Sequence, residues 1–295
     1  MELGRISTAM VTPFSQTGDI DFEKTDQLIE HLIANGSDSI VVCGTTGESP
    51  TLTRKEVEEL LTFAVKKVNG RIPIIAGTGS NSTAGSMEAT KLAEQCGVDG
   101  IMLVTPYYNK PDQKGLFAHF SAIAKETELP ILLYNIPGRS VINMLPETTI
   151  ALSKIKNIHA IKEASGDLEQ MAAIISGTED DFKVYSGDDA LALPLLAIGG
   201  DGVVSVASHV VGNEMQKMMT AYLEGRTTAA ATMHRTLLPL FTALFTAPNP
   251  VPIKHALKVF GVDVGEVRLP LVGLKDKECV NQAIKNLQSS KRIFI

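Results

Sequence analysis

One lysine stands at the end of a segment that resembles a buried strand. The segment "IHAIK" ends at Lys162, and period-two alternation places Ile158, Ala160 and Lys162 on the same face of that strand. Burial disfavours the charged form of an amine, so a lysine there becomes a neutral nucleophile that can attack a carbonyl carbon. Position alone is equally compatible with a structural ion pair between Lys162 and a carboxylate such as Asp188.

Hydroxyl groups at other strand ends could serve such an amine. Tyr134, Thr45 and Tyr108 each stand at or just after the end of an apolar segment. A chain of hydroxyls can carry the protons that carbinolamine formation requires. A single tyrosine in this setting is usually a packing residue, whereas three hydroxyl side chains near one lysine favour a proton relay.

Two further positions carry groups suited to binding carboxylates. The turn "GTTGE" flanks Thr45 and Thr46 with glycines that could expose backbone N–H groups, although Gly-Thr turns are common. Arg139 follows a Pro-Gly turn and could bind a carboxylate through two parallel hydrogen bonds. A solvent-exposed loop arginine is an equally good interpretation of Arg139.

The elements that must position these residues repeat about every 28 residues along the chain. Eight short apolar segments begin at Ile6, Ser39, Ile72, Gly100, Pro130, Ile158, Phe182 and Gly202. Amphipathic helical patterns separate them; one begins with a capping box of Thr53 and Glu56 and ends at Asn69-Gly70. This alternation predicts an α/β fold, a (β/α)8 TIM barrel. An open doubly wound sheet is the alternative, but no G-x-G-x-x-G sequence opens a helix after any segment.

The remainder of the chain has a helical pattern and follows without a low-complexity linker. We therefore predict a catalytic barrel over residues 1–224 and a C-terminal helical extension over residues 225–295, packed on the barrel. In TIM barrels the reactive groups gather at the C-terminal ends of the strands, which is where Lys162, Tyr134 and Thr45 stand.

Composition narrows the classes of partner. Of 295 residues, 33 are acidic and 27 basic, which gives a net charge of −6 without any basic run, so nucleic acid and membrane surfaces are not expected partners. The six histidines are scattered and the three cysteines form no C-x-x-C pair, so we expect no metal. Neither a signal peptide nor an apolar run of ~18–20 residues is evident, and we expect a cytoplasmic protein.

Four motifs together resemble one known family. "GTTGE" (44–48), "TPYYNKP" (105–111), "YNIPGRS" (134–140) and "IKEASGD" (161–167) are similar to the signature set of the 4-hydroxy-tetrahydrodipicolinate synthase, or dihydrodipicolinate synthase, family. The wider group of pyruvate-dependent class I aldolases also contains N-acetylneuraminate lyase. The resemblance covers essentially the whole chain. It implies condensation of pyruvate with L-aspartate-4-semialdehyde on the diaminopimelate route to lysine, without a cofactor.

The resemblance also implies a role for each motif residue. Lys162 would form a Schiff base with pyruvate, and Tyr134, Thr45 and Tyr108 would relay protons. Tyr108 would come from the neighbouring subunit of a homotetramer built as a dimer of dimers. The substrate-binding residues implied are Thr46 for the pyruvate carboxylate, Arg139 for the carboxylate of the second substrate, Gly187 in the same pocket and Val204 through its backbone.

One departure from the family pattern concerns feedback inhibition by lysine. Ser49, Asn81 and Tyr107 match the inhibitor site, but Gly85 replaces its glutamate, and Arg54 and Val57 occupy its histidine positions. We predict weak or absent inhibition by lysine.

Two other functions remain open from the sequence. One is a sibling aldolase acting on a 2-keto-3-deoxy-sugar acid, against which Arg139 argues. The other is a non-catalytic barrel that senses a keto acid, against which the lysine with its proton relay argues.

Overall fold

A closed barrel of parallel strands forms the centre of the molecule. The computed structural model describes residues 3–290, and within them eight strands pair in sequence order, with the last returning to the first. The strands are β1 Ile6–Ala9, β2 Ser39–Val42, β3 Ile74–Gly77, β4 Gly100–Val104, β5 Ile131–Asn135, β6 Ile158–Glu163, β7 Lys183–Ser186 and β8 Gly202–Ser205. The predicted TIM barrel is confirmed, and the open sheet is excluded.

Helices cover the outside of the barrel. They are α1 Phe22–Ala34, α2 Arg54–Val68, α3 Thr83–Gln95, α4 Gln113–Ala124, α5 Pro137–Ser140, α6 Pro146–Leu152, α7 Leu168–Gly177, α8 Ala192–Ala197, α9 Ser208–Leu223, α10 Thr227–Ala243, α11 Val251–Val259 and α12 Glu278–Ser289. The predicted capping box begins α2: Thr53 Oγ1 accepts from the N–H of Glu56 at 3.2 Å, and Glu56 Oε2 accepts from the N–H of Thr53 at 2.8 Å. Within residues 3–290, no helix has both the length and the apolarity to cross a membrane.

The strands separate two apolar clusters. A small inner cluster fills the barrel and contains Ala160, Tyr134 and Val204. A much larger outer cluster lies between the strands and the helices and contains Ile161 and Leu133. Adjacent residues of one strand therefore face different layers, as the pleat requires.

The alternation proposed for β6 is wrong at its first residue. Ala160 lies in the inner cluster, but Ile158 belongs to the outer cluster with Ile161. The pairing of β5 with β6 shifts register at this point: Ile131 pairs with Ile158, and the next residue, Leu132, pairs with Ala160. Such a bulge adds one residue to β6 and turns the side chain of Ile158 outward, while Lys162 keeps its predicted direction.

The last three helices, α10, α11 and α12, follow the barrel directly. The helix α10 packs against α9, the final helix of the barrel, and against α12. The chain thus forms a barrel with a C-terminal helical extension. The predicted parts, residues 1–224 and 225–295, also include residues 1, 2 and 291–295. These lie outside the described residues.

Candidate active site

Lys162 lies buried inside the C-terminal end of the barrel. Its side chain is 5 % exposed. Its Nζ lies 4.2 Å from the centroid of the Tyr134 ring. Burial lowers the pKa of Lys162 to about 8; the Asp189 carboxylate opposes this shift and the Arg139 guanidinium adds to it. A neutral amine is therefore accessible near physiological pH.

The ion pair that the sequence left open is not formed with Asp188. The Oδ1 atom of Asp188 accepts a hydrogen bond from the backbone N–H of Ala190 at 2.9 Å and caps a short 3-10 turn. The carboxylate that acts on the pKa of Lys162 belongs to the next residue, Asp189.

Tyr134 and Thr45 form a hydroxyl pair beside the amine. Tyr134 pairs in register with Lys162 on the adjacent strand, so both side chains enter the barrel at the same level. Both side chains line the same small cavity, and Thr45 acts to lower the pKa of the Tyr134 phenol, but burial outweighs this effect and raises that pKa to about 12. The phenol remains protonated at neutral pH and can donate a proton to an oxygen that Lys162 brings within reach.

Asp189 is a buried carboxylate that the sequence reasoning missed. It accepts hydrogen bonds from the hydroxyl of Ser205 and from the backbone N–H groups of Val206 and Ala207. Burial raises its pKa to about 6. The paired acids of "SGDD" were the only signal, and they do not reveal that Asp188 caps a turn while Asp189 is buried against Ser205 and the residues after β8.

Gly187 packs close to the lysine stem, and Val204 lines the interior of the same barrel. A Cβ added at Gly187 would lie 2.6 Å from the Cβ of Ala164 and 3.0 Å from the Cε of Lys162. Only a residue without a side chain leaves the lysine stem in place here. Val204, in β8, belongs to the inner cluster that lines the barrel.

The turn after β2 carries Thr45 and Thr46. Its backbone is tightly folded: the N–H groups of Gly47 and Glu48 donate to the carbonyls of Gly44 and Thr45, both at 3.1 Å. These bonds use neither the N–H of Thr45 nor that of Thr46. Thr46 is buried, with 2 % of its side chain exposed.

Arg139 and Tyr108 stand farther from the amine. Arg139 lies exposed in the short helix α5, although its charge still lowers the pKa of Tyr134 and Lys162. Tyr108 is 88 % exposed and has a left-handed backbone, with φ of 72°. Its own chain leaves it in solvent.

A small cavity adjoins these groups. Its volume is about 30 Å³, and Thr45, Tyr134, Ser49 and Met102 are among its lining residues. A surface groove of about 750 Å³ is larger, but it is lined by Lys24, Asp263 and other residues away from Lys162. Within residues 3–290, no group of three or more His, Cys, Asp or Glu side chains is arranged to hold a metal ion.

Comparison with known proteins agrees with this geometry. The model of the dihydrodipicolinate synthetase family matches residues 2–288. The chain belongs to this family.

Individual members of the family are similar over nearly their whole length. The 4-hydroxy-tetrahydrodipicolinate synthase of Bacillus velezensis is 59 % identical over 94 % of this chain and 96 % of its own. The dihydrodipicolinate synthase structure from Bacillus anthracis has a TM-score of 0.95 at 52 % identity, covering 98 % of this chain and 99 % of that one. The family member from Cyanidioschyzon merolae, solved with lysine bound, has a TM-score of 0.95 at 49 % identity, covering 97 % and 98 %.

In the present chain, a second polar cluster lies directly behind the reactive pair Tyr134 and Lys162. Asn135 follows Tyr134 and Glu163 follows Lys162, so both point outward, and Asn135 Nδ2 donates to the Glu163 carboxylate at 3.0 and 3.1 Å. Gln170 donates to the same carboxylate at 2.9 Å. The sequence shows these residues but not their contact, which depends on the register of β5 with β6.

Proposed function

We propose that this chain condenses pyruvate with L-aspartate-4-semialdehyde to give 4-hydroxy-tetrahydrodipicolinate, through a Schiff base on Lys162. One observation carries the proposal: a buried amine with a lowered pKa lies against a tyrosine that lines the same small cavity as a threonine. Membership of the family supports the choice of substrates, because relatives of 59 % identity are 4-hydroxy-tetrahydrodipicolinate synthases.

The first half of the reaction joins pyruvate to the enzyme. The neutral Nζ of Lys162 attacks C2 of pyruvate, whose carboxylate Thr46 holds. Both protons that leave the Lys162 nitrogen pass through the relay of Tyr134 and Thr45 to the carbinolamine oxygen, which then leaves as water. The product is an imine, with the carboxylate and the lysine stem confined by Gly187 and Val204.

The second half forms the new carbon–carbon bond. The hydroxyl relay of Tyr134 takes up a proton from C3 of the imine and gives an enamine, which attacks the aldehyde carbon of the second substrate. The relay returns one proton to the aldehyde oxygen, which becomes the hydroxyl of the product. Arg139 binds the carboxylate of that substrate through two hydrogen bonds. The amino group of the second substrate then attacks the imine carbon, closes the ring and releases Lys162.

A second copy of the chain completes the relay in this proposal. Tyr108 projects into solvent, and its backbone has a strained left-handed conformation. An exposed tyrosine held in this way is consistent with a residue donated to a neighbouring subunit. We propose a homotetramer made of two such dimers, located in the cytoplasm, that contributes to lysine biosynthesis.

A substrate panel tests the proposal. Purified protein is assayed with pyruvate and either L-aspartate-4-semialdehyde or aldehydes derived from sugar acids. We expect turnover with the semialdehyde, and a KM for it that rises in Arg139→Ala while the KM for pyruvate stays constant. Turnover with sugar aldehydes alone would establish the sibling aldolase, and turnover with none would leave the keto-acid sensor.

A further inference from the structure

The C-terminal extension contacts the turn that carries Thr46. Asn249, between α10 and α11, donates a hydrogen bond from Nδ2 to Thr46 Oγ1 at 2.9 Å. The two residues are 203 positions apart in the chain. Asn249 is 8 % exposed, so solvent does not compete effectively for this contact.

The extension holds the end of the same turn through Glu48. The Nζ atom of Lys254, in α11, lies 2.8 Å from Glu48 Oε1, and both side chains are almost completely buried. The backbone N–H of Arg268 donates to Glu48 Oε2 at 2.9 Å. Glu48 has a left-handed backbone with φ of 55°, a conformation that such contacts help to maintain. The extension therefore contacts two side chains of the turn, those of Thr46 and Glu48.

The Asn249 contact determines where the Thr46 hydroxyl can donate. A threonine hydroxyl carries one hydrogen and two acceptor lone pairs. Because the Asn249 amide occupies one lone pair, the Thr46 hydrogen must point to a different acceptor. A carboxylate bound beside Thr46 supplies that acceptor.

We propose that Asn249 is a positioning residue for pyruvate, which acts by directing the Thr46 hydroxyl at the pyruvate carboxylate. This inference rests on the proposed function, because it takes Thr46 as the carboxylate ligand. It assigns to the extension a part in substrate binding, in addition to packing on the barrel.

Two substitutions separate positioning from packing. Asn249→Ala removes the donor and should raise the pyruvate KM about tenfold, the value of one hydrogen bond of ordinary strength. Asn249→Asp keeps the shape but accepts the Thr46 hydrogen, so it should raise the pyruvate KM more than alanine does. The KM for aspartate semialdehyde should change less than twofold in both. A packing role predicts the reverse order, because only alanine leaves a cavity.

A double-mutant cycle tests whether Asn249 acts through Thr46. Thr46→Val removes the hydroxyl, and in that background Asn249→Ala should have little further effect on the pyruvate KM. Additive effects would overturn the proposal. Should Asn249→Asp fail to fold, Asn249→Ser, which retains a donor, should give a pyruvate KM between those of the wild type and alanine.

His255→Ala is the matched control within the extension. His255 Nε2 contacts Asn281 Oδ1 at 2.9 Å and joins α11 to α12, not to the turn. The His255→Ala variant should have a lower unfolding temperature and an unchanged pyruvate KM. Wild-type protein that forms no borohydride-stable pyruvate adduct would refute the proposed function itself. A normal adduct together with unchanged KM values in the Asn249 variants would refute this inference alone.

Discussion

At the scale of the residue, the environment of Lys162 decides its chemistry. The same side chain in water would be protonated at neutral pH, with its ordinary pKa of 10.5. Burial reduces that pKa to about 8, while the negative charge of Asp189 limits the fall. Asp189 thus affects how much neutral amine is present, although it is hydrogen-bonded to the Ser205 hydroxyl and to the backbone N–H groups of Val206 and Ala207.

The pH dependence of adduct formation follows from this balance. Only the neutral amine attacks, so the rate of pyruvate trapping by cyanoborohydride should rise with pH up to about 8 and then level. Asp189→Asn removes the charge that raises the pKa of Lys162, so the midpoint of the trapping rate against pH should lie at a lower pH in this variant. A wild-type midpoint near 10.5, or an upward shift in the variant, would contradict this account.

Close packing at Gly187 gives a second prediction. In Gly187→Ala the new methyl group would clash with Ala164 and the Lys162 stem. The variant should still fold, but its pyruvate adduct on Lys162 should form about tenfold more slowly. Gly138→Ala is the control, because no described atom lies within 4 Å of a Cβ added there. Equal trapping rates in the two variants would show that Gly187 does not constrain the lysine.

At the scale of the element, strand pairing places two functional layers back to back. The reactive pair Tyr134 and Lys162 faces the interior, and the pair Asn135 and Glu163 faces the helices one residue later. Asn143, which follows the Arg139 segment, donates to Gln170, a member of the same polar cluster. The polar cluster therefore connects β5, β6 and α7 around the site.

Glu163→Gln tests the importance of the polar cluster for stability. The Glu163 carboxylate accepts hydrogen bonds from Asn135, from Gln170 and, at 2.7 Å, from the backbone N–H of Ser165. The side-chain amide of the glutamine variant would place its own N–H group against one of these donors. We expect a loss of about 1–3 kcal/mol in the free energy of unfolding, measured in urea. Glu179→Gln, at an exposed site, should change it by less than about 0.5 kcal/mol. Similar losses in both would contradict the prediction.

The elements were more predictable from the sequence than the contacts between them. All eight strands and the capping box of α2 follow from local pattern and local hydrogen bonds. The outward turn of Ile158 was missed, because a bulge depends on the neighbouring strand. Asn249 was missed for the same reason, since its partner lies 203 residues away. Alternation and barrel geometry placed Lys162 correctly, but only the fold shows which carboxylate acts on it.

At the scale of the whole molecule, our proposal places Tyr108, which is exposed in its own chain, in the site of a second copy. Tyr108→Phe should lower kcat by about 100-fold without changing assembly, measured by ultracentrifugation, because it removes one member of the proton relay. Mixing Tyr108→Phe subunits with Lys162→Ala subunits tests donation between chains. In a hybrid dimer one site combines Lys162 with the partner's intact tyrosine, so activity should recover. Absence of recovery would place Tyr108 in its own site.

The response to lysine is a second property that we predict at this scale. The Cyanidioschyzon merolae relative binds lysine in its structure. Here Gly85, Arg54 and Val57 replace the glutamate and the histidines of the expected inhibitor site, which removes charge-assisted bonds of roughly 1.5–3 kcal/mol each. Titration with lysine should show weak or no inhibition. Strong inhibition at sub-millimolar lysine would contradict this prediction.

The division of the chain at residue 224 also belongs to this scale and stays a prediction. Contacts from Asn249 and Lys254 to the turn after β2 favour an extension that completes the barrel over an independent module. In our proposals, function is thus distributed over the barrel, its extension and a second copy.

The most direct test of the central claim is to trap the imine. Protein incubated with pyruvate is reduced with borohydride, digested and mapped by mass spectrometry, with Lys162→Arg as the control. We predict one pyruvate-derived adduct, on Lys162, which the variant lacks. An unmodified Lys162, or an adduct carried equally by other lysines, would contradict the account.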